Sequence, residues 1–287
     1  MPTVDLLLKT SIIPSRKVLI KTLVYASKTN SPIKIYGEDY RRSEDHTFFD
    51  FISDKARDAK RTNDRYLNWT IQVLEKVALI AKEEDLKYEL DFIHLDGRKW
   101  ISQLIRESGN NNTLFVDAKS INISHELMSA LITENKNLFL LTDKSWSTST
   151  LVLGAIDPLH RDDASGTIDR AIIKAGLRLS DTLAQSFKLV YCQYVAEYLT
   201  EFSREILQSQ KEGVLDFLKD KNLNSVPLTF IKGNPDFALV EAVKIHKGTL
   251  LVLGACRRSN ASRYWMGSTV DSLLQSPPCD MLLVAEH

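Results

Sequence analysis

Residues 249–287 read TLLVLGACRRSNASRYWMGSTVDSLLQSPPCDMLLVAEH, and this stretch decides the fold. A short apolar run, 250–253, stops at Gly254. A basic, polar loop follows, then Gly267, Ser268 and Thr269, then a helix-like stretch, then a second apolar run at 281–284. Strand, loop, Gly-Ser-Thr, helix and strand is the order that turns backbone N–H groups toward an anion at a helix N-terminus.

Reading back from there, short apolar runs alternate with longer amphipathic ones, which predicts βα repeats and a mostly parallel sheet. In the second half the expected strands are 151–154, 188–192 and 226–231, before the closing pair. The expected helices are 167–185, 196–218 and 235–245. The helix at 167–185 carries Ile168, Ile172, Ala175, Leu179 and Leu183 at helical spacing. In the first half the strands are 4–8, 32–36, 88–93, 113–116 and 138–141. The helices are 16–27, 68–82, 98–107 and 124–132, with a charged stretch at 37–65 ahead of the second. The small polar run DKSWSTST at 143–150 reads as a linker.

The halves are copies of one unit. FIHLDGRKWISQLIRESGNNNTLFVDA at 92–118 aligns with FIKGNPDFALVEAVKIHKGTLLVLGA at 230–255, with a small insertion at 110–112. Two domains, 1–145 and 146–287, are therefore expected. After its fourth strand the first copy continues Ala118-Lys119-Ser120-Ile121-Asn122, without glycine. Only the second copy can build the loop described above.

Composition narrows the function. At 287 residues and 44% hydrophobic, the chain can bury a core in each half. Lys plus Arg and Asp plus Glu both total 37, so the basic excess usual for nucleic-acid binding is missing. Cys192, Cys256 and Cys279 are far apart and form no CxxC, which reads as small buried hydrophobes in a reducing compartment. The N-terminus lacks a signal-peptide pattern and no apolar run reaches membrane-spanning length, so a soluble, cytoplasmic protein without membrane contact is expected.

At the residues quoted, the chain resembles the universal stress protein family, in particular its tandem, E-type members. The resemblance covers nearly the whole length as two repeats and is specific in the second. It implies two tandem flavodoxin-like (adenine nucleotide α-hydrolase-like) α/β domains, each with a mostly parallel five-stranded sheet flanked by helices. Nucleotide-binding members carry glycine, two residues, glycine, nine residues, then glycine with serine or threonine. Here Gly254 matches the first glycine and Gly267-Ser268 the end, while Arg257 stands where the second glycine belongs. Asp157 matches the family's aspartate after the first strand, and Gly233-Asn234-Pro235 its turn before a helix. Asp5 precedes the main apolar run of the first unit, so no aspartate carries over there. The resemblance implies a stress-response role by binding ATP, with magnesium. The base and ribose would lie near Asp157 and the strand around Val190. The phosphates would lie over Gly254, Arg258, Gly267, Ser268 and Thr269. It also implies a monomeric pseudo-dimer or a homodimer.

The residues themselves leave alternatives open. A non-glycine residue in left-handed geometry costs about 1–2 kcal/mol. Arg257 therefore takes another backbone region or strains the loop, and its side chain crowds the phosphate space. Yet Arg257, Arg258 and Arg263 can also hold a polyphosphate by paired hydrogen bonds. Ser268 is equally an ordinary N-cap and Asp157 a turn former before Pro158. Asp157, His160, Asp162 and Asp163 make a poor metal set, and His94 reads as a satisfied strand-end histidine. Tyr191, Tyr194, Tyr198 and Phe202, at partly helical spacing, read as core-facing, and Phe48-Phe49-Asp50-Phe51-Ile52 as an amphipathic lid. No nucleophile–base pair, Walker loop or Gly-x-Ser-x-Gly is present, so no catalytic residue is assigned and any hydrolysis would be slow. The competing reading is a scaffold for a partner protein or an apolar small molecule.

Overall fold

The computed structural model describes residues 3–39, 55–97, 99–109, 113–146, 150–160, 165–255 and 268–285. The chain divides into two compact units, Met1–Asp143 and Lys144–His287. The apolar segment at 48–52 lies outside the described residues.

In the first unit the strands are β1 (Val4–Lys9), β2 (Ile33–Asp39), β3 (Leu90–Asp96), β4 (Thr113–Asp117) and β5 (Asn137–Leu141). The helices are α1 (Arg16–Thr29), α2 (Lys55–Glu83), α3 (Trp100–Glu107) and α4 (His125–Thr133). The strand order is β3-β2-β1-β4-β5, with parallel pairing throughout. Both faces are covered by helices, so the strands are apolar along their length, and Leu6, Leu7, Leu8, Phe115, Leu140 and Leu141 are almost wholly buried. Tyr25 of α1 closes a ring cluster with Phe115 and Phe139, at centroid distances of 5.1 and 6.4 Å. Ser15 caps α1 by accepting from the Val18 amide at 3.2 Å, and Ser124 caps α4 the same way through Leu127.

The second unit repeats the plan: β6 (Leu151–Ala155), α5 (Thr167–Leu183), β7 (Ser186–Gln193), α6 (Ser203–Asp220), β8 (Leu228–Lys232), α7 (Pro235–Ile245), β9 (Leu250–Ala255), α8 (Ser268–Gln275) and β10 (Asp280–Ala285). Its order is β8-β7-β6-β9-β10, again parallel. Each unit is thus an open α/β sheet with helices on both faces, the expected class. Gly233 has φ of 126°, which lets the chain turn sharply. Asn234 then caps α7 through the Asp236 amide, with Pro235 at the first helical position. The Trp146 indole donates to fully buried Asp280 at 2.7 Å, fastening the start of this unit to β10.

Two expected helices are corrected. The second helix starts at Lys55, well before residue 68. Its first turns carry almost no apolar residues, so hydrophobic periodicity marks only the half that packs on the sheet. The helix expected at 196–218 is a 3₁₀ segment, Glu197–Phe202, followed by α6. At three residues per turn, positions four apart no longer share a face. Tyr198 and Phe202 are exposed as a result, Tyr194 is exposed in the connection ahead of the segment, and only Tyr191, inside β7, is core. Asp5, inside the strand expected at 4–8, is fully buried in β1.

Candidate functional site

In an open α/β sheet, ligands bind beyond the carboxyl ends of the strands where the strand order reverses. In the second unit that point lies between β6 and β9, the neighbours of each other that run out to opposite edges. Val152, Leu153 and Gly154 pair with Leu250, Leu251 and Val252 there. The chain leaves β6 toward Asp157, and β9 ends with Gly254 and Ala255. Asp157 and Gly254, distant in sequence, therefore flank the switch point.

The exit from β6 is pinned by its backbone. The Ile156 amide donates to the Val190 carbonyl at 3.1 Å, extending the β6–β7 ladder. The Asp157 amide donates to Asp169 Oδ1 at 2.8 Å, and the Asp157 carbonyl accepts from the His160 amide at 3.0 Å. Both backbone groups of Asp157 are committed, and its carboxyl is left as the group to meet a ligand. Desolvation pushes that carboxyl above the usual range, against the opposing pull of His160 and the Leu159 amide. The residue itself is exposed, so this crowding comes from the protein on one side of an otherwise open group.

Val190 is buried, and with its carbonyl engaged it offers the rim no free acceptor; the rim of β7 is formed further on, at Cys192 and Gln193. Burial raises both Tyr191 and Cys192 to about 12, with Asp157 the next contributor to each. Among the described residues Cys192 and Cys279 form no disulfide, and Cys256 lies outside the described residues.

Gly254 sits in β9 against α5. A Cβ there would come within 2.4 Å of Ile168 Cγ1 and 3.4 Å of Ile172 Cδ1. Strand-on-helix packing alone therefore demands a glycine at this position. Thr269 lies in the first turn of α8, which begins at Ser268, and Val270 and Leu273 bury that helix on the sheet. The first amides of any helix lack intrahelical partners. Arg257, Arg258, Arg263 and Gly267 lie outside the described residues, as do Asp162 and Asp163. Among the described residues no three His, Cys, Asp or Glu side chains converge as metal ligands.

The equivalent point of the first unit is built differently. Counting back from Ala118 and Ala255, Asp117 takes the place of Gly254. It is buried at the end of β4, and its Oδ1 accepts from the Lys119 amide at 3.0 Å. Desolvation raises its carboxyl, against the Lys119 and Ser120 hydrogen bonds. Nearby, Lys119 is bonded to Asp143. The crevice over β2 and β3 is filled from α2. Tyr66 stacks on His94 at 4.1 Å, and Gly37 is tight against Trp69 and Tyr66, at 2.9 Å from a built Cβ. His94 is not the satisfied histidine expected. Among the described residues its Nε2 is buried with no hydrogen-bond partner, and the Tyr66 hydroxyl and Thr70 Oγ1 lie buried beside each other without a well-formed bond.

Asp169 is not legible in the sequence, and Ile168 reads there only as part of the apolar face of its helix, not as the neighbour of Gly254. An acid in the first turn of a helix is common, and only its burial beneath Asp157 distinguishes Asp169.

The universal stress protein family model matches residues 181–285, from the end of α5 to β10. None of the curated proteins matches the chain. Among solved structures, the chain is similar to a functionally unknown protein from Pseudomonas aeruginosa PAO1, at a TM-score of 0.65 and 15% identity, covering 98% of this chain and 92% of that one. It is also similar to a universal stress protein from Archaeoglobus fulgidus DSM 4304, at a TM-score of 0.59 and 13% identity, covering 98% of this chain and 96% of that one. At such identities the likeness is one of fold, and it extends over both units. Among the described residues no helix is long and apolar enough to cross a membrane.

Proposed function

We propose that the unit Lys144–His287 binds an adenine nucleotide beyond the carboxyl edge of its sheet, and that the chain is a tandem universal stress protein of E-type organisation. In this reading it is a cytoplasmic regulatory protein acting by binding. The observation that carries the proposal is the placement of Asp157 and Gly254 on either side of the switch point, within a unit that matches the family from residue 181 onward. Asp157 accepts hydrogen bonds from ribose or base, and the base lies along the end of β7 beyond Val190. The phosphates lie over Gly254 and the start of α8 at Ser268 and Thr269, with Arg257, Arg258 and Gly267 completing the loop. Magnesium accompanies the triphosphate. Hydrolysis is slow, because no side chain described at the rim is placed to activate a water. The first unit takes no nucleotide, since a buried carboxylate at Asp117 occupies the place of Gly254 and opposes an anion.

A thermal-shift titration of the full chain with ATP, with and without magnesium, tests this. At about 100 times the dissociation constant, binding adds roughly 2.7 kcal/mol of stability and raises the midpoint. An unchanged midpoint at millimolar ATP contradicts it. A second reading, a scaffold for a partner protein or an apolar small molecule, draws on Tyr198 and Phe237 of the same unit, which are 85% and 77% exposed. Stabilisation by ATP that shrinks in Asp157→Ala favours the first reading over this one.

A further inference from the structure

We infer that Asp169 is a positioning residue for the nucleotide site: its buried carboxylate fixes the backbone at Asp157 and so aims the Asp157 side chain at the ligand. The inference rests on the nucleotide-binding reading proposed above. Asp169 lies in the first turn of α5 and is 1% exposed. A carboxylate that deep is costly to bury unless hydrogen bonds and local dipoles compensate it. Two compensations are visible. The Asp157 amide donates to Oδ1 at 2.8 Å, and the helix N-terminus favours negative charge in its first turn. The side chain spans twelve residues of sequence to reach that amide. The N-cap of its helix is Gly166, in a left-handed conformation, so the cap residue brings no side chain of its own.

The neighbouring residue performs the matching task on the other side of the switch point. Ile168 packs under Gly254 so closely that no Cβ fits between them. One turn of α5 therefore sets the position of both halves of the candidate site, through Ile168 to β9 and through Asp169 to the loop after β6. With its amide held by Asp169 and its carbonyl by His160, Asp157 keeps a fixed backbone from which its carboxyl projects.

The test compares Asp169→Ala, Asp169→Asn, Asp157→Ala and the double alanine variant in the full-length chain. Affinity for ATP is read by calorimetry, and the exchange rate of the Asp157 amide by NMR without ligand. Asn keeps an acceptor oxygen and Ala does not. A lost hydrogen bond to a charged group corresponds to about tenfold or more in an equilibrium. Asp169→Ala should weaken ATP binding by that factor and speed exchange at Asp157, while the core amide of Val252 keeps its rate. Asp169→Asn should recover most of both. The double variant should bind no worse than Asp157→Ala, because Asp169 acts through Asp157. Wild-type affinity in Asp169→Ala, additive losses, or equal acceleration at Val252 would each overturn the inference. If the wild-type chain binds no ATP, the nucleotide reading fails by itself. The exchange rate then decides the strut alone, and an unchanged Asp157 amide in Asp169→Ala overturns it.

Discussion

Gly254 and Ile168 are packed so tightly that a Cβ on the glycine would come within 2.4 Å of Ile168 Cγ1. The glycine that opens the phosphate-loop pattern is thus a packing residue before any ligand arrives. Gly254→Ala should destabilise the chain by about 1–3 kcal/mol without nucleotide, as overpacked cores do. Urea unfolding of the ligand-free protein measures it. A neutral substitution would mean that the glycine answers to the ligand alone.

Gly176 and Phe187 form a second contact of this kind, with a built Cβ at 2.2 Å from the ring. Alanine for glycine inside a helix ordinarily gains roughly 1 kcal/mol. Here the clash should reverse the sign. In a double-mutant cycle, Phe187→Leu should relieve part of the penalty of Gly176→Ala, because the smaller side chain leaves room. Simple additivity would show that the ring moves aside at no cost.

Desolvation of the Asp157 carboxyl should cost stability at neutral pH. Desolvation raises its folded pKa, so the unfolded chain gives up this proton first as pH rises. Stability is lost from roughly pH 3.9 up to the folded value and stays lost above it. Asp157→Asn should therefore be more stable than wild type at pH 7, with the advantage vanishing in acid, while ATP binding weakens. Matched thermal unfolding at several pH values checks it, and a less stable Asn variant at pH 7 would contradict the assignment.

The Tyr66 hydroxyl is buried beside Thr70 and His94 without a well-formed hydrogen bond. Leaving such a group unsatisfied costs about 1–3 kcal/mol. Tyr66→Phe should hold or raise the unfolding free energy while keeping the ring stack on His94. A loss above about 1 kcal/mol would reveal a partner for the hydroxyl, such as a buried water.

Much of this was legible in sequence because periodicity reports burial. The strand ends at Leu250 and Leu141, the start of α5 at Thr167 and the whole of α7 follow from apolar spacing and turn residues. Periodicity is silent where a helix projects into solvent, so α2 was read as starting well after Lys55. It also cannot separate 3₁₀ from α geometry, which misplaced Tyr198 and Phe202. For the site, Asp157 and Gly254 were visible through family spacing. Asp169 was hidden, because a contact across twelve residues leaves no periodic trace. Nor does spacing reveal that Gly254 is forced by Ile168, since only the packed helix supplies that neighbour.

Native mass spectrometry of the full chain titrated with ATP tests the central claim most directly. One nucleotide per chain, with occupancy reduced in Asp157→Ala, is the predicted result. No bound nucleotide at saturating ATP would contradict it, and so would two per chain, which would place a nucleotide on the first unit despite Asp117.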